Sequence, residues 1–185
     1  MQSIWRVHPA DPQRAGILAR ELGIDPMTAQ LLVNRGIKSP AEGARFLHPT
    51  LQSLGAPEEL PDAGEGVARL KRAIAKRQPI AIFGDSDVDG LTASVMLYEV
   101  LQELGAVVSA RQANRIADGY GLPPSMVQRL CRSSVRLVIL VDCGTNQSEA
   151  IRVLAARGID TIVVDHHVPL DDWARPCALI NPHRD

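Results

Sequence analysis

Three β-rich runs in the second half of this chain each end in aspartate: residues 80–83 lead through Gly84 to Asp85, residues 137–141 to Asp142, and residues 161–164 to Asp165. Further strands are predicted at residues 106–111 and 178–180, and helices at residues 62–77, 91–104, 124–132 and 148–157. Short β-rich runs alternating with helical stretches are the pattern of a parallel sheet covered on both faces. Asn146, with Glu149 three residues later, marks the start of the last helix as a capping pair. The expected fold class is therefore α/β, an open, doubly wound, mainly parallel five-stranded sheet. Ligands of such sheets bind beyond the carboxyl ends of the strands, so the acidic exits are where chemistry is to be sought.

The beginning of the chain has a different texture. Asp25-Pro26 and Ser39-Pro40 each place a capping oxygen before a proline at the first helical position, and Ser39 with Glu42 has the spacing of a capping box. Ala29, Leu31, Leu32 and Val33 supply an apolar face, and Asn34-Arg35-Gly36 a stop. Residues 49–61 are rich in Pro, Gly and Leu without a sustained period and read as a connector. The expected division is a helical lead-in and connector over residues 1–66 and an α/β domain over residues 67–185.

Composition excludes several classes. A chain of 185 residues with 45% hydrophobic and 22% charged residues has the makeup of a globular protein. No stretch approaches the roughly 20 apolar residues of a membrane span, and no signal-peptide pattern opens the sequence, so a cytoplasmic setting without a membrane partner is expected. A net charge of -1 argues neither for nor against a polyanionic partner, which motifs have to decide. Cys131, Cys143 and Cys177 lack the paired spacing of a zinc or redox motif, so reduced thiols are expected. Cys143, although beside Asp142, reads as a small buried residue rather than a nucleophile.

The first exit carries Asp85, Asp87 and Asp89 at period two. In extended backbone such residues share a side, and like charges crowded together repel unless cations neutralise them or their pKa values rise. The other exits add Asp142-Cys143-Gly144 and Asp165-His166-His167. Carboxylates with one or two imidazoles suit Mn2+ or Mg2+ better than zinc, and together they have the composition of a two-metal hydrolase. Taken singly, each has a plainer explanation: an aspartate after a strand usually caps a helix, and paired histidines are commonly surface residues. A calcium loop is excluded by the missing downstream glutamate. Capping does not account for all three exits in one α/β unit.

These residues, Asp85-Ser86-Asp87-Val88-Asp89-Gly90, Asp142-Cys143-Gly144 and Asp165-His166-His167, resemble the first three motifs of the DHH phosphoesterases. Asn114-Arg115, Asp118-Gly119-Tyr120-Gly121-Leu122 and the terminal Asn181-Pro182-His183-Arg184-Asp185 are similar to segments of the RecJ-type single-stranded-DNA exonucleases in that family, as are Asn34-Arg35-Gly36-Ile37, Pro40 and Phe46-Leu47. The resemblance implies two divalent cations, Mn2+ or Mg2+. It implies Asp87 on one, Asp89 on the other, Asp142 bridging and His166 completing the set, with Asp85, Asp165 and His167 as close catalytic neighbours. His167 is expected at the scissile phosphate or holding its neighbour in place. Asn114, Arg115, Gly119 and Tyr120 are expected along the path of the strand, Arg115 on a phosphate and Tyr120 either stacking on a base or packed inward. The implied reaction is 5′ to 3′ hydrolysis of single-stranded DNA in repair and recombination, with single-strand-binding protein or a helicase as protein partners.

Ser86 stands where RecJ-type sequences usually have tyrosine and Ala113 where proline is common; neither removes a ligand. The family's fourth motif, a further aspartate, has no counterpart before Asp185, so a truncated domain with weak metal binding and little processive activity is expected. Alternative readings are a DHH enzyme for short oligonucleotides, cyclic dinucleotides or pyrophosphate, and a non-catalytic DHH-fold scaffold of replication. An ordinary nucleotide-binding domain is disfavoured, since its phosphate loop offers glycines and a lysine where this chain offers aspartates.

Overall fold

Every residue of Ile80–Gly84 (β1) and of Leu137–Val141 (β3) is buried, as central strands of a sheet covered on both faces must be. The computed structural model describes residues 7–116, 119–173 and 175–184. Its sheet has five parallel strands in the order β2-β1-β3-β4-β5, with Val108–Gln112 (β2), Asp160–Val164 (β4) and Ala178–Ile180 (β5) completing it. The expected α/β architecture is thus present. Side chains alternate across β3: Leu137, Ile139 and Val141 pack with Ile80, Ile82 and Leu101 on one face, while Val138 and Leu140 pack with Phe83, Ile151 and Leu154 on the other. Ala63–Ala75 (α4) and Val88–Glu103 (α5) accompany the first face; Pro124–Cys131 (α6) and Ser148–Ala155 (α7) accompany the second.

Chain direction across the sheet reverses between β1 and β3, since β2 lies on the far side of β1 while β4 and β5 extend beyond β3. In sheets of this order the crevice outside the carboxyl ends of those two strands is the place a ligand enters. Asp85 follows one of them and Asp142 the other.

The chain forms two compact units, residues 1–55 and 56–185, so the division falls earlier than the expected end of the lead-in at Gly66. The reason is α4: a Cβ added at Gly66 would stand 3.0, 3.6 and 3.7 Å from side-chain atoms of Ile180, Ala178 and Ile162, and Asp62 accepts a hydrogen bond from Leu179 N–H at 3.0 Å. The first turn of α4 is therefore part of the sheet domain.

Among the described residues of the amino-terminal unit, the α-helices Pro12–Leu22 (α1), Pro26–Asn34 (α2) and Pro40–Leu47 (α3) surround Ala15, Leu18, Ala29 and Leu32. The two expected helix starts are present. Asp25 caps α2 through Met27 and Thr28 N–H, and Ser39 caps α3 through Glu42 N–H. Glu42 reaches Lys38 N–H at 2.7 Å rather than Ser39 N–H, so the reciprocal half of the capping box is displaced by one residue. Leu31, expected on the apolar face of α2, is exposed, because the buried stripe follows Ala29 and Leu32 at a spacing of three.

Candidate metal centre

The carboxyl end of β1 is built on glycine. Asp85 N–H continues the strand pairing to Val141 O at 3.3 Å, and the residue is 2% exposed. Beneath it runs the backbone of Gly90, where a Cβ would stand 2.4 Å from Asp85 O. Only glycine lets the start of α5 come that close. Asp87 is the N-cap of α5, its Oδ1 accepting Gly90 N–H at 3.0 Å. The helix begins at Val88, earlier than the expected residue 91, because Asp87 supplies the cap. This corrects the period-two expectation: a helix turns about 100° per residue, so Asp89 does not share the side of Asp85 and Asp87. It lies exposed in the first turn.

At the end of β3, Asp142 N–H donates to Val164 O at 2.9 Å, and Asp142 takes φ 59°. That left-handed backbone is uncommon for a residue other than glycine, although aspartate tolerates it better than most. The carboxylate is buried; Oδ1 lies 3.0 Å from His166 Nε2. At the end of β4, Asp165 N–H donates to Ile180 O at 3.1 Å. Both oxygens of Asp165 are engaged. Oδ1 accepts from His166 N–H at 2.7 Å, His167 N–H at 3.2 Å and His167 Nδ1–H at 2.7 Å, while Oδ2 accepts from Thr145 N–H at 3.0 Å. A carboxylate only accepts, so the close contact fixes the proton of His167 on Nδ1 and leaves Nε2 as a donor atom for a ligand.

Two triplets of ligand atoms result. Asp85, Asp87 and Asp142 bring one atom each within 4.8 Å of one another, and so do Asp142, His166 and His167. Asp142 belongs to both, and among the described residues Asp89 belongs to neither. Asp85 and His167, expected as neighbours of the ligands, are thus within ligand range themselves. Burial pushes the Asp142 carboxyl above its ordinary value, and the facing Asp87 pushes it further. Asp87 is held below its ordinary value, chiefly by Gly90 N–H. Burial alone would raise Asp165, but its hydrogen bonds from His167 and Thr145 outweigh that and hold it low; the same bond raises His167.

This donor set fits a divalent cation. Asp85 Oδ1 and Asp142 Oδ2 are buried oxygens without a hydrogen-bond partner among the described residues, an arrangement that costs free energy unless something positive satisfies it. Oxygen ligands with two imidazoles suit Mn2+ or Mg2+.

Tyr120 leans on the cluster, its hydroxyl 3.1 Å from His167 Nδ1 and its ring edge-on to the imidazole at 5.3 Å, with about half its surface exposed. Arg115 is exposed, and its positive charge helps to hold Asp87 low. Asn114 accepts from Ile116 N–H at 3.2 Å, and Gly119, which is exposed, takes φ 77°. Asp118 lies outside the described residues. Cys143 is fully buried, and burial raises its thiol pKa far above the ordinary value, in keeping with a packing residue.

Two supporting residues escaped the sequence reading. Asn146, expected to cap α7, instead donates to Val168 O at 3.0 Å and accepts from Leu170 N–H at 2.8 Å, pinning the chain that follows the histidines; Gln147 takes the N-cap position, its side chain bonded to the Leu122 backbone rather than to the helix end. Thr145 joins Asp165 to Asn181. Their signal was position, since both follow a strand exit already marked by Asp142.

Residues 79–185 match the DHH family, N-terminal domain. The chain is 30% identical to the single-stranded-DNA-specific exonuclease RecJ of Bacillus subtilis over 96% of its own length and 23% of that protein. It therefore spans about a quarter of that relative. A crystal structure of RecJ bound to manganese is similar at TM-score 0.65 and 31% identity, over 70% of this chain and 33% of that one. RecJ of Thermus thermophilus in complex with Mn2+ is similar at TM-score 0.64 and 27% identity, over 96% of this chain and 24% of that one. Its Mg2+ complex matches at TM-score 0.50 and 26% identity, over 88% and 20% of the two chains.

Proposed function

The chain belongs to the DHH family, and from that premise we propose that it carries the metal-binding part of a RecJ-type exonuclease, which removes mononucleotides from the 5′ end of single-stranded DNA. The observation that supports this most is Asp142, among the described residues the one side chain common to two ligand triplets. Two divalent cations, Mn2+ or Mg2+, would supply a water of lowered pKa and neutralise charge on the phosphate. Asp85 and Asp87 would hold one side of the pair, His166 and His167 the other, with Asp142 between them. Asp89 would have to swing round from its exposed turn to join, and the proposal does not depend on it.

The remaining assignments belong to the same proposal. Asp165 keeps the His167 ring oriented through Nδ1, and Arg115, beside Asp87, receives a phosphate oxygen of the incoming strand. Tyr120, with half its surface open, offers a ring to a base, and Asn114 and Gly119 belong to the same exposed strand path. DNA repair and recombination, a cytoplasmic location and single-strand-binding protein or helicase partners are parts of this reading. Among the described residues no helix is long and apolar enough to cross a membrane.

The test is Mn2+-dependent hydrolysis by this chain of a 5′-labelled single-stranded oligonucleotide, beside a dinucleotide and pyrophosphate. Binding of Mn2+ with slow, preferential cutting of the single strand, lost in Asp142→Ala, is expected. Preferential hydrolysis of the short substrates would move the reading to a small-substrate phosphoesterase. A chain that binds no Mn2+ would be a scaffold.

A further inference from the structure

Asn181, at the exit of β5, has 0% of its surface exposed although it is polar. Its side chain spends every hydrogen-bonding group it is asked to supply. One N–H of Nδ2 donates to Thr145 Oγ1 at 2.9 Å, the other to the backbone carbonyl of His167 at 2.9 Å, and Oδ1 accepts from His183 N–H at 2.8 Å. The two donor bonds end on different segments. Thr145 lies three residues beyond Asp142, after β3, and its N–H reaches Asp165 Oδ2. His167 lies after β4, in the triplet with Asp142 and His166.

We propose that Asn181 is a positioning residue for the Asp142–His166–His167 half of the metal centre, tying the loop after β3 to the loop after β4. The inference rests on the metal-centre reading above and adds to it a residue that touches no ligand atom. Main-chain pairing places Asp142 N–H on Val164 O and Asp165 N–H on Ile180 O, but ends there. Beyond those pairs the chain turns back, and the position of His167 against Asp142 depends on side chains. Asn181 grips the His167 carbonyl directly and grips Asp165, the orienting partner of the His167 ring, through Thr145. Among the described residues no such bond runs from Asn181 to Asp85 or Asp87, which follow β1 and bond to Val141 and Gly90.

The chemistry is specific to a carboxamide. Aspartate has the same size but no donor, so an oxygen would face the His167 carbonyl oxygen. Partners of this kind, one bond removed from a ligand, are worth about 10- to 100-fold in metal affinity.

The experiment is Mn2+ titration of the full chain by calorimetry, with bound Mn2+ counted by electron paramagnetic resonance, for the parent, Asn181→Asp and Thr145→Val. In the parent, two Mn2+ are expected. In Asn181→Asp one site is expected to weaken at least tenfold and the other to stay within twofold. Thr145→Val, which exchanges the hydroxyl for a methyl of similar size, is expected to weaken the same site less, and Thr145→Ser, which keeps the hydroxyl, to bind as the parent does. In the metal-free proteins, imidazole nitrogen chemical shifts should show the Nδ1 proton of His167 becoming less fixed in Asn181→Asp. Equal weakening of both sites, or no change in either, would overturn the proposal. Should Asn181→Asp fail to fold, Thr145→Val decides; failure of both variants to fold would make Asn181 a folding residue and also end it. A parent chain that binds no Mn2+ would instead remove the metal-centre reading itself.

Discussion

Asp142 Oδ1 lies 3.0 Å from His166 Nε2, while the second oxygen of the same buried carboxylate has no hydrogen-bond partner among the described residues. One oxygen is thus oriented toward the histidine side of the cluster, and the other is left for whatever sits between Asp142, Asp85 and Asp87. The left-handed φ of 59° at this residue comes directly after the Asp142 N–H bond to Val164 O.

Asp142→Asn separates the two consequences of that arrangement. Asparagine accepts left-handed backbone as readily as aspartate, so the fold survives. Both triplets lose their shared anionic member, and Mn2+ affinity is expected to fall by more than the roughly 100-fold that indirect partners command. The metal-free variant is expected to melt at a higher temperature than the parent, because burial and the facing Asp87 both disfavour the charged form of Asp142. Calorimetry with and without Mn2+ reads both effects; a metal-free variant less stable than the parent would contradict the repulsion argument.

Gly90→Ala tests the close approach that brings Asp85 and Asp87 together. The new Cβ would stand 2.4 Å from Asp85 O and 2.6 Å from Asp85 N, both main-chain atoms that have no rotamer by which to escape. Urea denaturation is expected to show a loss of about 3 kcal/mol, at or beyond the upper end for overpacking. Gly64→Ala is the control. It lies in α4 with nothing within 4 Å of the added carbon, and helix propensity predicts a neutral change or a gain of up to about 1 kcal/mol.

What the sequence revealed follows what is local. The five strands were legible because runs such as Leu137–Val141 are apolar, β-branched and closed by turn residues, and the acidic exits because each carboxylate follows its strand directly. The orientation of Asp89 was not, since it depends on the residue at which strand gives way to helix, a competition settled by the Asp87–Gly90 cap. Helix α1 escaped notice although Asp11-Pro12 repeats the signature read at Asp25-Pro26, and Asp11 does cap it through Arg14 N–H at 3.0 Å. The Asn181–Thr145 bond joins residues 36 apart in sequence, the strand order likewise joins distant runs, and no periodicity encodes such pairings.

Asp62 offers a pH-dependent measurement away from the metal centre. It accepts from Leu179 N–H and pairs with Arg184; burial pushes its carboxyl up, and those partners outweigh the burial and set it below 3.8. A carboxyl lowered in the folded state stabilises the fold above its unfolded pKa, and the contribution disappears as pH falls through the folded value. Asp62→Asn is therefore expected to cost roughly 1.5–3 kcal/mol near neutral pH, the range for hydrogen bonds to a charged group. The gap between parent and variant should close as pH drops from about 4 downward. Urea titrations at a series of pH values check it; a gap that stays constant however far the pH falls would mean the residue acts through its shape alone.

Arg115 is exposed, yet its charge is felt at Asp87, and this allows a prediction in which two ligands respond in opposite senses. A cation already beside the ligand cluster repels a second one, so Arg115→Ala should leave Mn2+ affinity unchanged or slightly tighter. A phosphate arriving at the same place loses a charge-assisted partner, worth about tenfold in binding. Fluorescence anisotropy with a 5′-phosphorylated single strand should show that loss, and the slope of log affinity against log salt should become shallower by about 0.7, as for one phosphate contact removed. A variant that binds the strand normally but holds Mn2+ more weakly would place Arg115 among the supports of Asp87 and take it away from the DNA.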